Sequence, residues 1–280
     1  MAYKTILAIL DTPKNAAQIT DFAIALAETH GAHVIGLHAE AMAAVPLVAP
    51  MEIPDPATVQ ALQDMAHDES AAIEKVFRER AERNGISFEW RSFVCSAGYS
   101  TAAMIDSARS ADLVIAPQGE SATLSESRSD LENFLFESGR PVLLIPYILQ
   151  APKPIKRVLI AWNGSREATR ATFDALPFLK AADSVEIFSV NPADNKIQSA
   201  DYAGAEIATT LARHGVNVTV ARELNDKLPA SSAIENRLSD SSIDLLVMGA
   251  YSHKRWWEVL FGGVTRTLLD SMTAVTLLSR

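Results

Sequence analysis

A single cysteine, Cys95, stands in 280 residues. One thiol makes no intramolecular disulfide and no cysteine-rich metal site, and at the end of a strand-like run Cys95 reads as an inert core residue. Basic residues are short as well: 25 Lys and Arg face 34 Asp and Glu, for a formal net charge of -9. A nucleic-acid groove needs clustered Lys and Arg to meet phosphate, so nucleic acid is not an expected partner. No apolar stretch approaches the roughly 18 residues that suggest a membrane span. Met1-Ala-Tyr-Lys-Thr-Ile enters a strand-like run with no charged leader or cleavage site ahead of it, so a cytoplasmic protein without a membrane association is expected. What the chain does have is apolar residues, 48% of the total, enough for the cores of two ordinary domains.

Lys4 to Leu10 is a near-continuous apolar run bounded by Asp11-Thr12-Pro13, the pattern of a strand buried on both faces. Asn15 to His30 has helical spacing and stops at Gly31, and His33 to His38 reads as a second strand. Between Ala39 and Pro56 the prolines at 46, 50, 54 and 56 argue for an insertion or a covering loop without regular structure. A charge-rich helix over Ala57 to Asn84, a strand over Ser87 to Val94, a helix over Thr101 to Ser110 and a strand over Asp112 to Pro117 follow. A helix over Asp130 to Ser138 and a strand over Pro141 to Pro146 complete the series.

After the short connection Gln150-Ala-Pro-Lys-Pro154 the pattern restarts. Lys156 to Asn163 matches Lys4 to Asp11 at an offset of 152, Asp244-Leu-Leu-Val-Met matches Asp112-Leu-Val-Ile-Ala at 132, and Ala274 to Ser279 matches Pro141 to Pro146 at 133. The chain therefore reads as a duplicated α/β domain, residues 1-149 and 155-280, each a five-stranded, mostly parallel sheet with helices on both faces. Ligands of such sheets bind beyond the carboxyl ends of the strands, where the strand order reverses.

The stretch that draws most attention runs from Asp244-Leu-Leu-Val-Met-Gly249 through a polar and aromatic loop to Gly262-Gly263-Val264-Thr265. Glycines after a buried strand and at a helix entrance let backbone N–H groups approach an anion. On spacing alone, an equally good reading is that Gly249 ends a strand and Gly262-Gly263 is only a flexible helix entry. The loop resembles the nucleotide-binding loop of the universal stress protein family: Gly, two residues, Gly, nine residues, then Gly followed by Ser or Thr. Here those positions hold Gly249, Ser252, Gly262 and Gly263. The spacing is kept, while the second glycine is Ser252 and the hydroxyl position is Gly263, with Thr265 two residues later.

The resemblance covers essentially the whole chain and implies two tandem doubly wound domains with strand order 3-2-1-4-5. It also implies an adenine nucleotide, ATP or another, with or without Mg²⁺. Carried over residue by residue, the adenine end would rest on backbone at Trp162 and Val190. Asn163 would stand where the family has an Asp that meets the nucleoside, and the phosphates would meet Gly249, Ser252, Gly262, Gly263 and Val264 or Thr265. In the first half the loop position holds Pro117 and Glu120. Pro117 lacks an N–H donor and Glu120 repels phosphate, which leaves Asp11 as the only matching residue there and the second half as the expected working site. The last strands of the two halves are expected to pair, as in the family, giving a monomeric pseudo-dimer or a homodimer.

No catalytic residue is expected. Ser165 reads as a helix N-cap, and His253 as polar lining. Trp256-Trp257 read as packing residues or as a cover or protein contact, and Arg255 and Arg266 either as added charge for the phosphates or, equally well, as solvated surface charges. His30, His33 and His38 straddle a helix end and a strand, with 33 and 38 on opposite faces, so no metal site is expected. The function implied is that of a signalling or protective stress-response protein. The alternatives are a nucleotide-independent interaction scaffold with protein partners, and an ATP-using enzyme. The enzyme reading is the weaker, because the loop lacks the P-loop ending Gly-Lys-Ser/Thr.

Overall fold

The computed structural model describes residues 2–42, 55–95, 100–118, 134–192, 204–225, 227–250, 267–269 and 271–280. It divides into two compact units: Tyr3–Pro117 with Gln150–Pro152, and Gln118–Leu149 with Lys153–Arg280 and the first two residues.

In the first unit the chain runs β1 (Thr5–Ile9), α1 (Pro13–His30), β2 (His33–Ala41), α2 (Pro56–Asn84), β3 (Phe88–Cys95), α3 (Ser100–Ala108) and β4 (Leu113–Pro117). The strands lie β3-β2-β1-β4, all parallel. Consecutive β1 residues Ile6, Leu7 and Ala8 are each fully buried, as a central strand covered on both faces requires. Helices α1 and α2 pack on one another. The chain then returns across the sheet to β4, so a right-handed crossover sets α3 on the opposite face. Two expected boundaries move. Strand β2 continues to Ala41, and Pro56 sits at the first turn of α2 with Asp55 capping it through a 3.2 Å bond from the Thr58 N–H. Proline lacks only an N–H that is unpaired at that position anyway, so it begins this helix and does not prevent it. Cys95 ends β3 half-buried, more open than a core residue.

In the second unit, helical residues 134–138 (α4) and β5 (Val142–Ile145) precede β6 (Arg157–Ala161), α5 (Arg166–Asp174), α6 (Leu176–Ala181) and β7 (Ser184–Val190). Then come α7 (Ala205–Arg213), β8 (Val218–Glu223), α8 (Ala230–Asp240), β9 (Leu245–Gly249), helical residues 267–269 (α9) and β10 (Val275–Ser279). The order β8-β7-β6-β9-β10 is parallel throughout and is the expected 3-2-1-4-5. Strand β5, the last of the first repeat, adds to β10 antiparallel, with Leu143 opposite Leu277. The last strands of the two repeats thus pair, as the resemblance implied. Buried Gln118 helps hold this segment in the unit: its N–H donates to the Ile145 carbonyl (2.9 Å), its Nε2 to the Leu269 carbonyl (2.9 Å), and its Oε1 accepts from the Tyr147 N–H (3.3 Å).

Both faces of this sheet carry helices. On one, Gly204 at the entrance to α7 lies against Ile187, where a Cβ would come within 2.9 Å of Cγ2. On the other, Arg237 of α8 makes a paired bond to Glu186 (2.7 and 2.5 Å) and covers the Phe188 ring. Alternate residues of a strand point to opposite faces, so α7 and α8 flank β7. The duplication shows in detail at the amino ends of the strands. Asp112 accepts from the N–H groups of Lys4 and Thr5 (2.7 and 3.0 Å), and Asp244 from those of Lys156 and Arg157 (3.0 and 2.9 Å).

Candidate functional site

In the second unit β6 and β9 are neighbours, with Ala161 opposite Met248 on one side and Phe188 on the other. The chain leaves β6 toward β7 and leaves β9 toward β10, so the crevice beyond their carboxyl ends lies at the reversal of strand order. Trp162 and Asn163 follow β6 at the end of the sheet where β7 closes with Val190 and β9 with Gly249. Four of the residues singled out from the sequence therefore meet at one edge. Ser252, Gly262, Gly263, Val264 and Thr265, with His253, Arg255, Trp256, Trp257 and Arg266, lie outside the described residues.

Half-buried Trp162 continues the sheet by donating its N–H to the Phe188 carbonyl (2.9 Å), and its ring lies near Gly204. Asn163 is exposed, and its Oδ1 accepts the Ser165 N–H (3.1 Å). Gly164 follows with φ 71°, a left-handed turn suited to glycine. Ser165 caps α5 by accepting the Ala168 N–H (3.1 Å), as expected. Gly249 does more than end its strand. A Cβ there would lie 2.4 Å from the Ala168 nitrogen and 2.5 Å from the Glu167 carbonyl carbon. The first turn of α5 rests directly on the end of β9, and only glycine permits that approach.

Two features escaped sequence reasoning. Asn191, at φ 42°, exchanges two bonds with Asn225: its Oδ1 accepts the N–H (2.8 Å) and its Nδ2 donates to the carbonyl (3.1 Å). This closes the β7 and β8 ends beside Val190, and an asparagine just past a strand, a residue that tolerates φ > 0, was the available signal. Glu167, read only as part of a helix start, is 7% exposed.

The first repeat differs at the same end of its sheet. Buried His38 donates from Nδ1 to the Leu10 carbonyl (2.6 Å), and buried Glu40 accepts from Gln63 (2.9 Å) and contacts His67 (3.4 Å). Asp11 is open to solvent on one side, yet enough protein surrounds it that desolvation raises its carboxyl above the ordinary 3.8, the His38 charge pulling the other way. A raised carboxyl means that the folded chain holds this proton more tightly than the unfolded chain. Its stability contribution then falls as pH climbs from 3.8 through the folded value, and the ionised group costs stability at pH 7. Asp11→Asn is expected to raise the denaturant midpoint at pH 7, with the gain narrowing as the pH falls toward 3.8. A lower midpoint at pH 7 would show that the charge is stabilised where it stands.

Among the described residues no helix is long and apolar enough to cross a membrane, and no cluster of three His, Cys, Asp or Glu side chains is placed to hold a metal.

No protein-family model matches the chain, and no curated protein matches its sequence. Solved structures do match. A universal stress protein from Archaeoglobus fulgidus DSM 4304 superposes with a TM-score of 0.74 at 15% identity, over 99% of this chain and 96% of that one. A functionally unknown protein from Pseudomonas aeruginosa PAO1 gives 0.60 at 16%, over 99% and 92%. The cytoplasmic domain of a prokaryotic cation chloride cotransporter gives 0.52 at 13%, over 99% and 95%. The same architecture therefore occurs in proteins of different roles, and the likeness speaks for fold alone. That fold is the one seen in the universal stress proteins, present here as two repeats in one chain.

Proposed function

We propose that the chain is a stress-response protein that binds ATP or another adenine nucleotide, mainly through its C-terminal half, and signals or protects through a surface that occupancy alters. The observation that carries this reading is the meeting of Trp162, Asn163, Val190 and Gly249 at the reversal point of the second sheet, beside the amino end of α5. An exposed amide, a half-buried indole and a helix N-terminus suit a ribose, a base and an anion in turn. Ser252, Gly262, Gly263, Val264 and Thr265 complete the phosphate side of the proposal from the sequence pattern.

Titration calorimetry of the full chain with ATP and with ADP tests it. Saturable heat is expected below about 1 mM nucleotide, lost in Gly263→Leu and kept in Asp11→Asn. No heat from the unaltered chain removes the ligand, and loss in Asp11→Asn alone moves the site to the first repeat.

A second reading, an interaction scaffold independent of nucleotide, draws on the antiparallel β5–β10 pair. That pair joins within one chain the two last strands whose open edges would otherwise invite association. A stress phenotype unchanged by Gly263→Leu would favour the scaffold.

A further inference from the structure

The pair Asn-Gly occurs twice in the chain, as Asn84-Gly85 and as Asn163-Gly164. Such a pair is open to a reaction within the chain itself, because a backbone nitrogen followed by no Cβ can come close to the side-chain carbonyl before it. The fold treats the two pairs in opposite ways.

Both residues of the 163–164 pair are exposed. Among the described residues nothing accepts the Gly164 N–H, so its nitrogen is unencumbered. The Asn163 Oδ1 accepts the Ser165 N–H at 3.1 Å, and a bond to the residue two places on folds the carboxamide back over the Gly164 peptide. The same N–H polarises the carbonyl that an attacking nitrogen would meet, as donors do wherever charge develops on an acyl oxygen. Asn84 lacks each of these features. It is the last residue of α2, its Nδ2 donates back to the Arg80 carbonyl at 2.9 Å, and the Gly85 N–H is held by the carbonyls of Ala81 and Glu82.

We propose that Asn163 is a site of spontaneous deamidation, set apart from Asn84 by the fold. The Gly164 nitrogen gives up its proton and bonds to the Asn163 Cγ, the Cγ–Nδ2 bond breaks, and ammonia leaves with that proton as a succinimide ring closes. Water then opens the ring. Breaking the new Cγ–N bond restores the ordinary chain with aspartate at 163, whereas breaking the bond from the Asn163 main-chain carbonyl carbon to the Gly164 nitrogen leaves an isoaspartyl chain, longer by one backbone carbon. One water is consumed and one ammonia released, with no change of oxidation state. The aspartyl product gives position 163 the residue that the first repeat carries as Asp11. Its carboxylate can accept the Ser165 N–H in a charge-assisted bond ahead of α5, where negative charge is favoured. The inference stands whether or not a nucleotide binds at this edge.

The test keeps the full chain warm at mildly alkaline pH, with a parallel sample unfolded in urea, and follows both by brief tryptic digestion and mass spectrometry. Cleavage after Arg157 and Arg166, and after Arg83 and Arg91, puts the two asparagines on separate peptides, and each conversion of amide to acid adds one mass unit. In the folded chain peptide 158–166 is expected to convert at least about tenfold faster than peptide 84–91, since the Gly85 N–H must first leave its acceptors. It should yield two products of equal mass, aspartyl and isoaspartyl. In urea the two rates should come together, which assigns the difference to the fold and not to the local sequence. Equal conversion of the two peptides in the folded chain overturns the proposal. So does an Asn163 that stays intact in the folded chain while its unfolded counterpart reacts.

Discussion

Gly249→Ala is expected to lower the folding stability of the second unit by at least the upper part of the ~1–3 kcal/mol that overpacking ordinarily costs. The added methyl would lie 2.4 Å from the Ala168 nitrogen, 2.5 Å from the Glu167 carbonyl carbon and 2.8 Å from the Glu167 Cβ. Two of these atoms are backbone, so no rotamer change relieves the overlap. Either α5 lifts from the sheet or β9 bends away, and α5 also packs against β10. Lifting α5 carries with it the Ser165 cap and the Asn163 turn, so the nucleotide binding proposed above should fall together with the denaturant midpoint. A variant with an unaltered midpoint would mean that the approach of α5 to Gly249 is looser than these distances require.

The contrast with Gly36 explains why a glycine pattern is ambiguous in sequence. At Gly36 a methyl would meet Phe77 Cε1 and Cζ and Trp90 Cε3, all at 2.8 Å, which are ring atoms able to shift. Nothing local to either glycine distinguishes backbone neighbours from side-chain neighbours, because those neighbours come from elements far along the chain. The strands were legible for the opposite reason. A run such as Leu245 to Met248 is buried on both faces whatever its partners are, and its composition alone records that. The repeat was legible through the same runs, and through Asp112 and Asp244, which cap the amino ends of neighbouring strands.

Where elements end was less legible. The proline-rich stretch after His38 concealed three further residues of β2 pairing, Ala39 with Phe93, Glu40 with Val94 and Ala41 with Cys95. That Trp162, Asn163, Val190 and Gly249 lie at or just past strand ends was readable because the strands themselves were found. The burial of Glu167 was not, since a charged residue in the first turn of a helix is ordinarily solvated, whereas here α5 rests on the end of β9. Gln118 is similar: its three partners at 145, 147 and 269 belong to both repeats. No periodicity within one repeat reports them.

The largest loss of stability is expected from Phe77→Ala, about 3–5 kcal/mol for an aromatic side chain removed from a core. Phe77 is fully buried between α2 and the sheet, edge-on to Phe88 at 5.6 Å and 84°, and tilted against Trp90 at 5.6 Å and 38°. It fills the hollow over Gly36, so the two positions are coupled through one volume. Each single change harms packing in an opposite sense, Gly36→Ala by crowding and Phe77→Leu by leaving space. Combined, they should cost less than the sum of the two, since the methyl enters part of the space that the ring vacates. A double-mutant cycle of denaturant midpoints, followed by Trp90 fluorescence, measures the difference. Strict additivity would mean that the sheet and α2 yield independently at the two positions, and that Gly36 is tolerated there for some reason other than the ring above it.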